Sequence, residues 1–378
     1  MTHKRVIVLV AGGTGGHLFP AEALAVELRQ RGYDVHLATD ERAKGFVRHF
    51  DEEHIHIISS ATFQRRHPFA FIKAFWRLLK GIGQSCMLFY RLRPVLVGGF
   101  GGYPTIPPLF VASFMRCITF IHEQNAVMGR ANRVLAAMVY AIAGGLLSTK
   151  GVYARKMFLT GNPVREAVLE AAKVPYRPSL DEKPFHLLVF GGSQGASFFS
   201  KIVPEAVAFL DDKLRKRLRI VQQVRGEAEN LIEIYRNMGV QAEVAPFFDN
   251  IAERMALSHL IVSRAGASSV CEIAVIGRPA LLIPYPYALD HDQAANAALL
   301  SAAGGAKIIS EKDLNAQKLA SLLTEVCYAP HLLEKQALAA KKVGQPHATI
   351  RLADMAEALI AKRPLSDIRE EFFDENAA

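Results

Sequence analysis

Three glycine-rich turns carry the side chains most able to do chemistry. The first lies in VIVLVAGGTGGHLFPAEALAVEL, residues 6–28, where Gly12, Gly13, Gly15 and Gly16 surround Thr14 and His17 follows at once. Glycines let a backbone turn sharply and a ligand come close. A helix start behind them offers unpaired N–H groups and a positive dipole end to an anion. Histidine adds a side chain whose charge changes near neutral pH, so this loop can seat a phosphate and exchange a proton. The second turn, in HLLVFGGSQGASFFSKIVPEAVAFL at 186–210, repeats the same strand, glycine loop and helix. The third is SRAGASSVCEIAVIGRPALLIPYP at 263–286. There Ser268 and Ser269 are N-cap types before a helix expected over Val270–Ile276. Glu272 falls in the first turn of that helix. It serves either as a dipole-favoured carboxylate or as a bidentate acceptor for ribose hydroxyls.

Two polar clusters accompany these turns. FIHEQNAVMGRANR, residues 120–133, gathers His122, Glu123, Gln124, Asn125 and Arg130 after a strand, as a ligand site or as a network of caps. YALDHDQAANAALL, residues 287–300, places Gln293 and Asn296 one helical turn apart, both able to face a sugar. Its Asp290-x-Asp292 triplet offers too few carboxylates for a divalent metal. His54 and His56 alternate on an expected strand but lack further ligands for zinc, so no metal is expected. A dinucleotide fingerprint fails because Leu18 stands at its third glycine position, and neither a Walker lysine nor a G-x-S-x-G elbow is present.

The elements that must position these residues alternate between oily runs and helical patterns, which indicates an α/β protein with parallel sheets. Strands are expected at Val6–Val10, Val35–Ala38, Ile55–Ile58, Val95–Val97, Ile118–Ile121 and Gly144–Leu147, then at Gln241–Ala245, Leu260–Ser263 and Ala280–Pro284. Pro20 suits the first turn of the first helix. The last helices are expected over Leu314–Val326 and Thr349–Lys362. Because the strand–glycine–helix opening occurs twice, about 180 residues apart, two Rossmann-like halves are expected, with the loops facing each other across a cleft.

At 378 residues the chain is long enough for two domains, and it is 51% hydrophobic. Four cysteines far apart, without metal spacing, fit a reducing compartment. No signal peptide is expected, since the first strand begins after five residues. The uncharged stretch Pro94–Met115 holds four prolines and four glycines, which argues against a membrane-spanning helix. Net charge is +9, and no acidic residue occurs between Glu53 and Glu123. That run suggests a surface for an anionic partner. On a helix through Phe71–Cys86, Ile72, Phe75, Leu79, Ile82 and Cys86 share one face and Lys73, Arg77 and Lys80 another, with Trp76 between. Such a stripe suits anionic lipid headgroups, or else packs on the sheet with its cations solvated. No nucleic-acid motif accompanies the basic residues, so nucleic acid is not an expected partner. The acidic tail from Ser366 is expected to fray.

Taken in order, GGTGGHLFPA, GGFGGYPT, HEQNAVMGRANR, TGNPVR, FGGSQGAS and the 263–286 stretch followed by HDQAANA are similar to one family. The sequence resembles the bacterial family 28 glycosyltransferases that move N-acetylglucosamine from UDP onto undecaprenyl-pyrophosphoryl-MurNAc-pentapeptide in peptidoglycan synthesis. The likeness runs over roughly residues 5–360. It implies a GT-B fold with an acceptor and membrane-associating domain at 1–163, a UDP-GlcNAc domain at 164–342, a returning helix at 343–364 and an acidic tail at 365–378. It places the donor against Thr14, Gly15, Gly16, Asn125, Arg165, Ser193 and Gln293. Uracil and ribose go near Phe248, Ala267, Ser268, Ser269, Val270 and Glu272. Cys271 stands where the family often has serine.

The resemblance makes His17 the candidate base for the acceptor 4-hydroxyl, with inversion to a β1→4 link. Tyr103, His122 and Glu123 fall on the acceptor side. The implied partners are UDP-GlcNAc, the lipid-linked acceptor, anionic membrane lipids and other cell-wall synthesis proteins; no cofactor is implied. The implied place is the cytoplasmic face of the inner membrane, peripherally held. Two rivals share the fold: a transferase for another aglycone, and a UDP-sugar epimerase, which needs no acceptor.

Overall fold

The computed structural model describes residues 4–13, 15–42, 47, 49–60, 68–148, 150–180, 182–191, 197–226, 228–288 and 291–374. Thr14, Ser193 and Asp290 lie outside them. Two compact units are present: Met1–Arg165 with His347–Ala378, and Glu166–Pro346.

The first unit contains β1 (Val6–Val10), α1 (Gly15–Gln30), β2 (Asp34–Thr39), β3 (Ile55–Ile57), α2 (Pro68–Leu92), β4 (Leu96–Gly99), α3 (Ile106–Phe114), β5 (Ile118–Glu123), α4 (Arg130–Leu135), β6 (Ala141–Gly144) and β7 (Met157–Leu159). The second contains α5 (Glu166–Ala171), β8 (Phe185–Phe190), α6 (Ser197–Ala208), α7 (Asp212–Arg217), β9 (Leu218–Gln223), α8 (Ala228–Asn237), β10 (Gln241–Ala245), α9 (Ile251–Leu257) and β11 (Leu260–Ser263). It continues through α10 (Ala267–Ile276), β12 (Ala280–Leu282), α11 (Asp292–Ala302), β13 (Ala306–Ile308), α12 (Ala316–Tyr328) and α13 (Pro330–Val343). The chain then returns to the first unit with α14 (Ala348–Ile360) and α15 (Leu365–Asp374).

Each unit is built on one sheet whose strand pairs are all parallel, ordered β3-β2-β1-β4-β5-β6-β7 and β10-β9-β8-β11-β12-β13. Central strands such as β1 are continuous apolar runs because helices cover both faces, and β8 departs from this only at the exposed His186. One face of the first sheet packs Ile7, Leu9, Val35 and Leu37 against Leu24 and Leu28 of α1 and Leu352 and Leu359 of α14. The other packs Val8, Val10 and Val97 against Leu88 and Phe89 of α2 and Leu109 of α3. Strand order reverses between β1 and β4, and between β8 and β11. Beyond the carboxyl ends of strands at such a switch point, open α/β sheets bind ligands.

Several expectations shift. α1 starts at Gly15, so Pro20 falls in its second turn; the N–H it lacks would have bonded the Gly16 carbonyl. The strand expected at Gly144–Leu147 ends at Gly144, where the next amide, of Gly145, turns to bond the Glu123 carbonyl at 2.7 Å. His54 lies in a short 3₁₀ turn before β3. The structure adds β7 and α13, which the expected elements do not include. The acidic tail is helical to Asp374, held by Ile368, which is fully buried in the core shared with α1 and α14.

Helix α2 settles which of its faces is covered. The buried side is Ala74, Gly81, Ser85, Leu88 and Phe89, while Ile72, Phe75, Trp76 and Leu79 face outward, Trp76 with 66% of its surface exposed. Small residues let the helix lie close: a Cβ on Gly81 would stand 2.1 Å from the Ser59 carbonyl oxygen. The apolar stripe is therefore not what packs on the sheet, apart from the half-buried Ile82. Lys73, Arg77 and Lys80 are exposed beside it. The adjoining α3 exposes Phe114 as well, at 71%.

Candidate functional site

In the first unit the loop after β1 meets the loops after β4 and β5. Gly13, at φ +85°, donates its N–H to Asp40 at 3.3 Å, which fixes the glycine turn against the end of β2. His17 follows in the first turn of α1, half-buried. Its ring lies against Gly101, whose φ of +98° suits glycine and whose added Cβ would meet the imidazole at 3.0 Å.

The His17 ring is oriented through a chain of hydrogen bonds. His122 faces the Gly161 carbonyl through Nε2 at 3.0 Å; a carbonyl only accepts, so that nitrogen carries the proton. His122 Nδ1 is then a lone pair, and it accepts from Gln124 Nε2 at 3.0 Å. The same amide nitrogen donates to the Phe100 carbonyl at 3.0 Å, so Gln124 turns Oε1 toward His17 Nδ1, 3.1 Å away. His17 must therefore donate from Nδ1, and in its neutral form it holds its lone pair on Nε2. A glutamine selects the tautomer here as a carboxylate does in hydrolytic triads.

His122 and Glu123 sit beneath this arrangement rather than at its surface, contrary to their expected place beside an acceptor. Both are buried, and Phe100 stacks on His122 with ring centroids 5.5 Å apart. Glu123 accepts from the Asn125 N–H at 3.0 Å, Asn125 Nδ2 at 3.1 Å, the Gly129 N–H at 2.8 Å and Asn132 Nδ2 at 2.9 Å. One carboxylate thus shapes the whole 123–132 loop and holds Asn125 at its half-buried rim. Asn162 clamps the same loop by donating to the Gln124 carbonyl at 2.9 Å. Tyr103 is half-buried in a 3₁₀ turn after Gly102, and the Arg165 guanidinium stands 5.3 Å over the Phe19 ring of α1.

Burial pushes the His122 imidazole down to about 4, against a smaller opposite effect of the Gly161 carbonyl. The folded state therefore excludes a proton that an unfolded chain binds below about 6.5. The sign follows: His122 contributes fully above that pH, and its contribution is lost as pH falls toward 4, in total roughly 3 kcal/mol. Replacing His122 with glutamine should lower the melting temperature at pH 7, and the gap to wild type should narrow toward pH 4.5 in a thermal-shift series. A constant gap would show that this imidazole is not held neutral.

In the second unit the corresponding corner is the start of α10. Gly266 is the residue before its first turn, so Ser268 and Ser269 lie inside the helix, half-buried, and not at its cap. Glu272 is in the second turn and buried, one turn deeper than expected. Ala267 and Val270 are buried with it. Gln293 accepts through Oε1 from the Ala265 N–H at 3.2 Å and the Tyr285 N–H at 3.0 Å, which leaves its amide N–H donors to meet a ligand. Asn296 is fully buried and donates to the Ala265 carbonyl at 3.2 Å, so it holds the turn and does not face a sugar. Phe248 is buried under the Arg254 guanidinium, 4.4 Å from its ring centroid. Asp292 accepts from the Gln293 N–H at 2.7 Å.

Gln124 is read from the sequence only as one member of a polar cluster, and Gly101, Asn132 and Arg264 are given no role there. The available signal was polar residues directly after apolar strands. Arg264, buried after β11, pairs with Glu311 and donates to the Ile283 carbonyl at 3.2 Å, anchoring the turn that leads into α10.

Comparison with known proteins agrees with this architecture. Residues 7–143 match the glycosyltransferase family 28 N-terminal domain, and residues 186–352 the family 28 C-terminal domain. The UDP-N-acetylglucosamine–N-acetylmuramyl-(pentapeptide) pyrophosphoryl-undecaprenol N-acetylglucosamine transferase of Bartonella quintana is 79% identical, with 100% of both chains covered. The protein of the same description from Brucella suis is 56% identical over 98% of both. A crystal structure of MurG from Acinetobacter baumannii superposes with a TM-score of 0.75 at 28% identity, covering 94% of this chain and 99% of that one. Two parallel-sheet α/β domains of GT-B type, matched from end to end by such relatives, place this chain in glycosyltransferase family 28.

Proposed function

We propose that the chain transfers N-acetylglucosamine from UDP-GlcNAc to the 4-hydroxyl of undecaprenyl-pyrophosphoryl-MurNAc-pentapeptide, with inversion at the anomeric carbon. The observation that carries the chemistry is the His17 ring, whose Nε2 is left as the lone pair by the Gln124 contact at 3.1 Å. In this reading Nε2 takes the 4-hydroxyl proton as the oxygen attacks the anomeric carbon. The bond from that carbon to the UDP oxygen breaks on the opposite face, and the leaving diphosphate carries the electron pair. Its charge meets the N–H groups at the start of α10 and the Arg165 guanidinium. Gly15, Gly16, Asn125 and the amide of Gln293 orient the donor, with Thr14 and Ser193 supplied by the two glycine loops. Tyr103 contacts the acceptor, and His122 and Glu123 act from below by holding Gln124 and Asn125.

Glu272 in this reading accepts the ribose hydroxyls. Glu272→Ala should raise KM for UDP-GlcNAc about tenfold, the loss of about one charge-assisted hydrogen bond, with a smaller change in kcat. Equal KM values would remove Glu272 from the donor site.

The enzyme works at a membrane surface, where its acceptor lies. No described helix is long and apolar enough to cross a bilayer. Exposed Ile72, Phe75, Trp76 and Leu79, edged by Lys73, Arg77 and Lys80, give α2 the form of an interfacial helix, and anionic lipids are its partners. Trp76→Ser with Phe75→Ser should release the protein from anionic vesicles in a flotation assay, while transfer to a detergent-solubilised acceptor persists. Retention on vesicles by the double variant would refute this role.

The test of the activity is transfer of labelled N-acetylglucosamine to a short-chain lipid-linked muramyl-pentapeptide. A β-linked disaccharide product and free UDP are expected. Binding of UDP-GlcNAc without transfer, or conversion of the sugar without acceptor, would overturn the reading.

A further inference from the structure

At the outer edge of the first sheet, strand periodicity brings together side chains that the transfer reaction does not use. Asp34 and His36 alternate on β2 and so project from one face. The register Leu37↔Ile55 and Ala38↔His56, continued one step outward, sets His54 opposite His36. His36 Nε2 stands 3.4 Å from Asp34 Oδ2, and His54 Nε2 stands 3.3 Å from Asp34 Oδ1. One ligand atom from each of the three residues lies within 4.8 Å of the others. Both separations stand at the long end of the hydrogen-bonding range, and each ring meets a different oxygen of Asp34. Two donors each bonded to a tetrahedral zinc-class ion lie about 3.3 Å apart, as bond lengths near 2.0–2.1 Å require.

We propose that Asp34, His36 and His54 form a binding site for one divalent transition ion of the zinc class, joining β2 to the turn that enters β3. His56 supports it from behind: His36 Nδ1 and His56 Nε2 are 3.0 Å apart, so with Nε2 on the ion His36 donates its remaining N–H to His56. The sequence pairs His54 with His56; the fold instead selects His36 and His54 as ligands and leaves His56 as the outer partner. Two nitrogens and one carboxylate suit zinc, cobalt or nickel and not calcium or magnesium, which need more oxygens. The set leaves a fourth position for water.

The test uses the full-length, tag-free protein stripped by chelator and titrated with Co²⁺ and Zn²⁺, reading bound metal per chain and the visible cobalt spectrum. Wild type should bind one equivalent with a four-coordinate spectrum and melt at a higher temperature when loaded. His36→Asn and His54→Asn should each abolish both effects, and His54→Cys should restore binding with a sulfur-to-cobalt band. His56→Phe should weaken binding about 10–100-fold, the usual effect of losing an outer partner. His259→Asn, at the histidine pair His186 and His259 of the second unit, should change nothing. Absence of binding, or undiminished binding by His36→Asn and His54→Asn, overturns the proposal. Far-UV circular dichroism of the metal-free variants separates lost ligation from lost folding, and the cysteine rescue decides it.

Discussion

Replacing His17 with alanine is expected to lower kcat by roughly 10²–10⁴-fold, the usual contribution of a positioned general base. The affinity for UDP-GlcNAc should change little, because in the proposed reaction the ring meets the acceptor proton and not the uridine. The geometry makes the expectation specific. The imidazole occupies the switch point between β1 and β4, and Gly101 leaves room for the ring but not for an extra methyl group. His17→Gln should fare as badly, since an amide hydrogen-bonds without taking a proton. Steady-state kinetics with varied acceptor, beside a direct titration of UDP-GlcNAc, checks both halves. Near-normal turnover of His17→Ala would remove the residue from proton transfer.

Gln124→Leu is the second large effect. The substitution removes the acceptor for His17 Nδ1 and the donor to the Phe100 carbonyl and His122 Nδ1. The ring is then free to place its proton on either nitrogen and to swing. A loss in kcat of roughly 10–100-fold is expected, on the scale seen when partners that orient an imidazole are lost. Destabilisation from the orphaned buried groups would accompany it, so a second variant separates the causes. Gln124→Glu still accepts from His17 Nδ1 but adds a negative charge, which favours the imidazolium. The acidic limb of the kcat/KM profile should move to higher pH in that variant. A profile that keeps its wild-type shape would assign Gln124 a structural role alone.

Much of this architecture is legible in the chain. The runs VIVLV and HLLVF announce parallel strands at the centre of a sheet, and both stand there as β1 and β8. Less legible was anything that depends on partners distant in sequence. His17 and Gln124 are 107 residues apart, and His122 and Gly161 are 39 apart, so spacing alone could not reveal a relay. The polar residues of HEQN read as ligand-facing because buried hydrogen-bond networks and binding sites draw on the same residue types; burial assigns Glu123 and His122 to the first. Asn296 was misread for the same reason. Helix α2 shows a different limit: periodicity finds an apolar stripe but not which stripe faces the sheet. The close approach at Gly81 turns the small residues inward and the aromatic ones outward. Pairwise register likewise hides until strands are placed, as with His36 and His54.

The proposed chemistry depends on one lone pair. Long-range ¹H–¹⁵N correlation of the imidazole nitrogens, with His17 identified by its loss in His17→Asn, reads that lone pair directly in the wild-type protein at neutral pH. The expected result is a proton on Nδ1 and a bare Nε2, shifting to a mixture in Gln124→Leu. A proton found on Nε2 in the wild type would leave the ring with no basic nitrogen for the acceptor, and would contradict the assignment of His17 as the base.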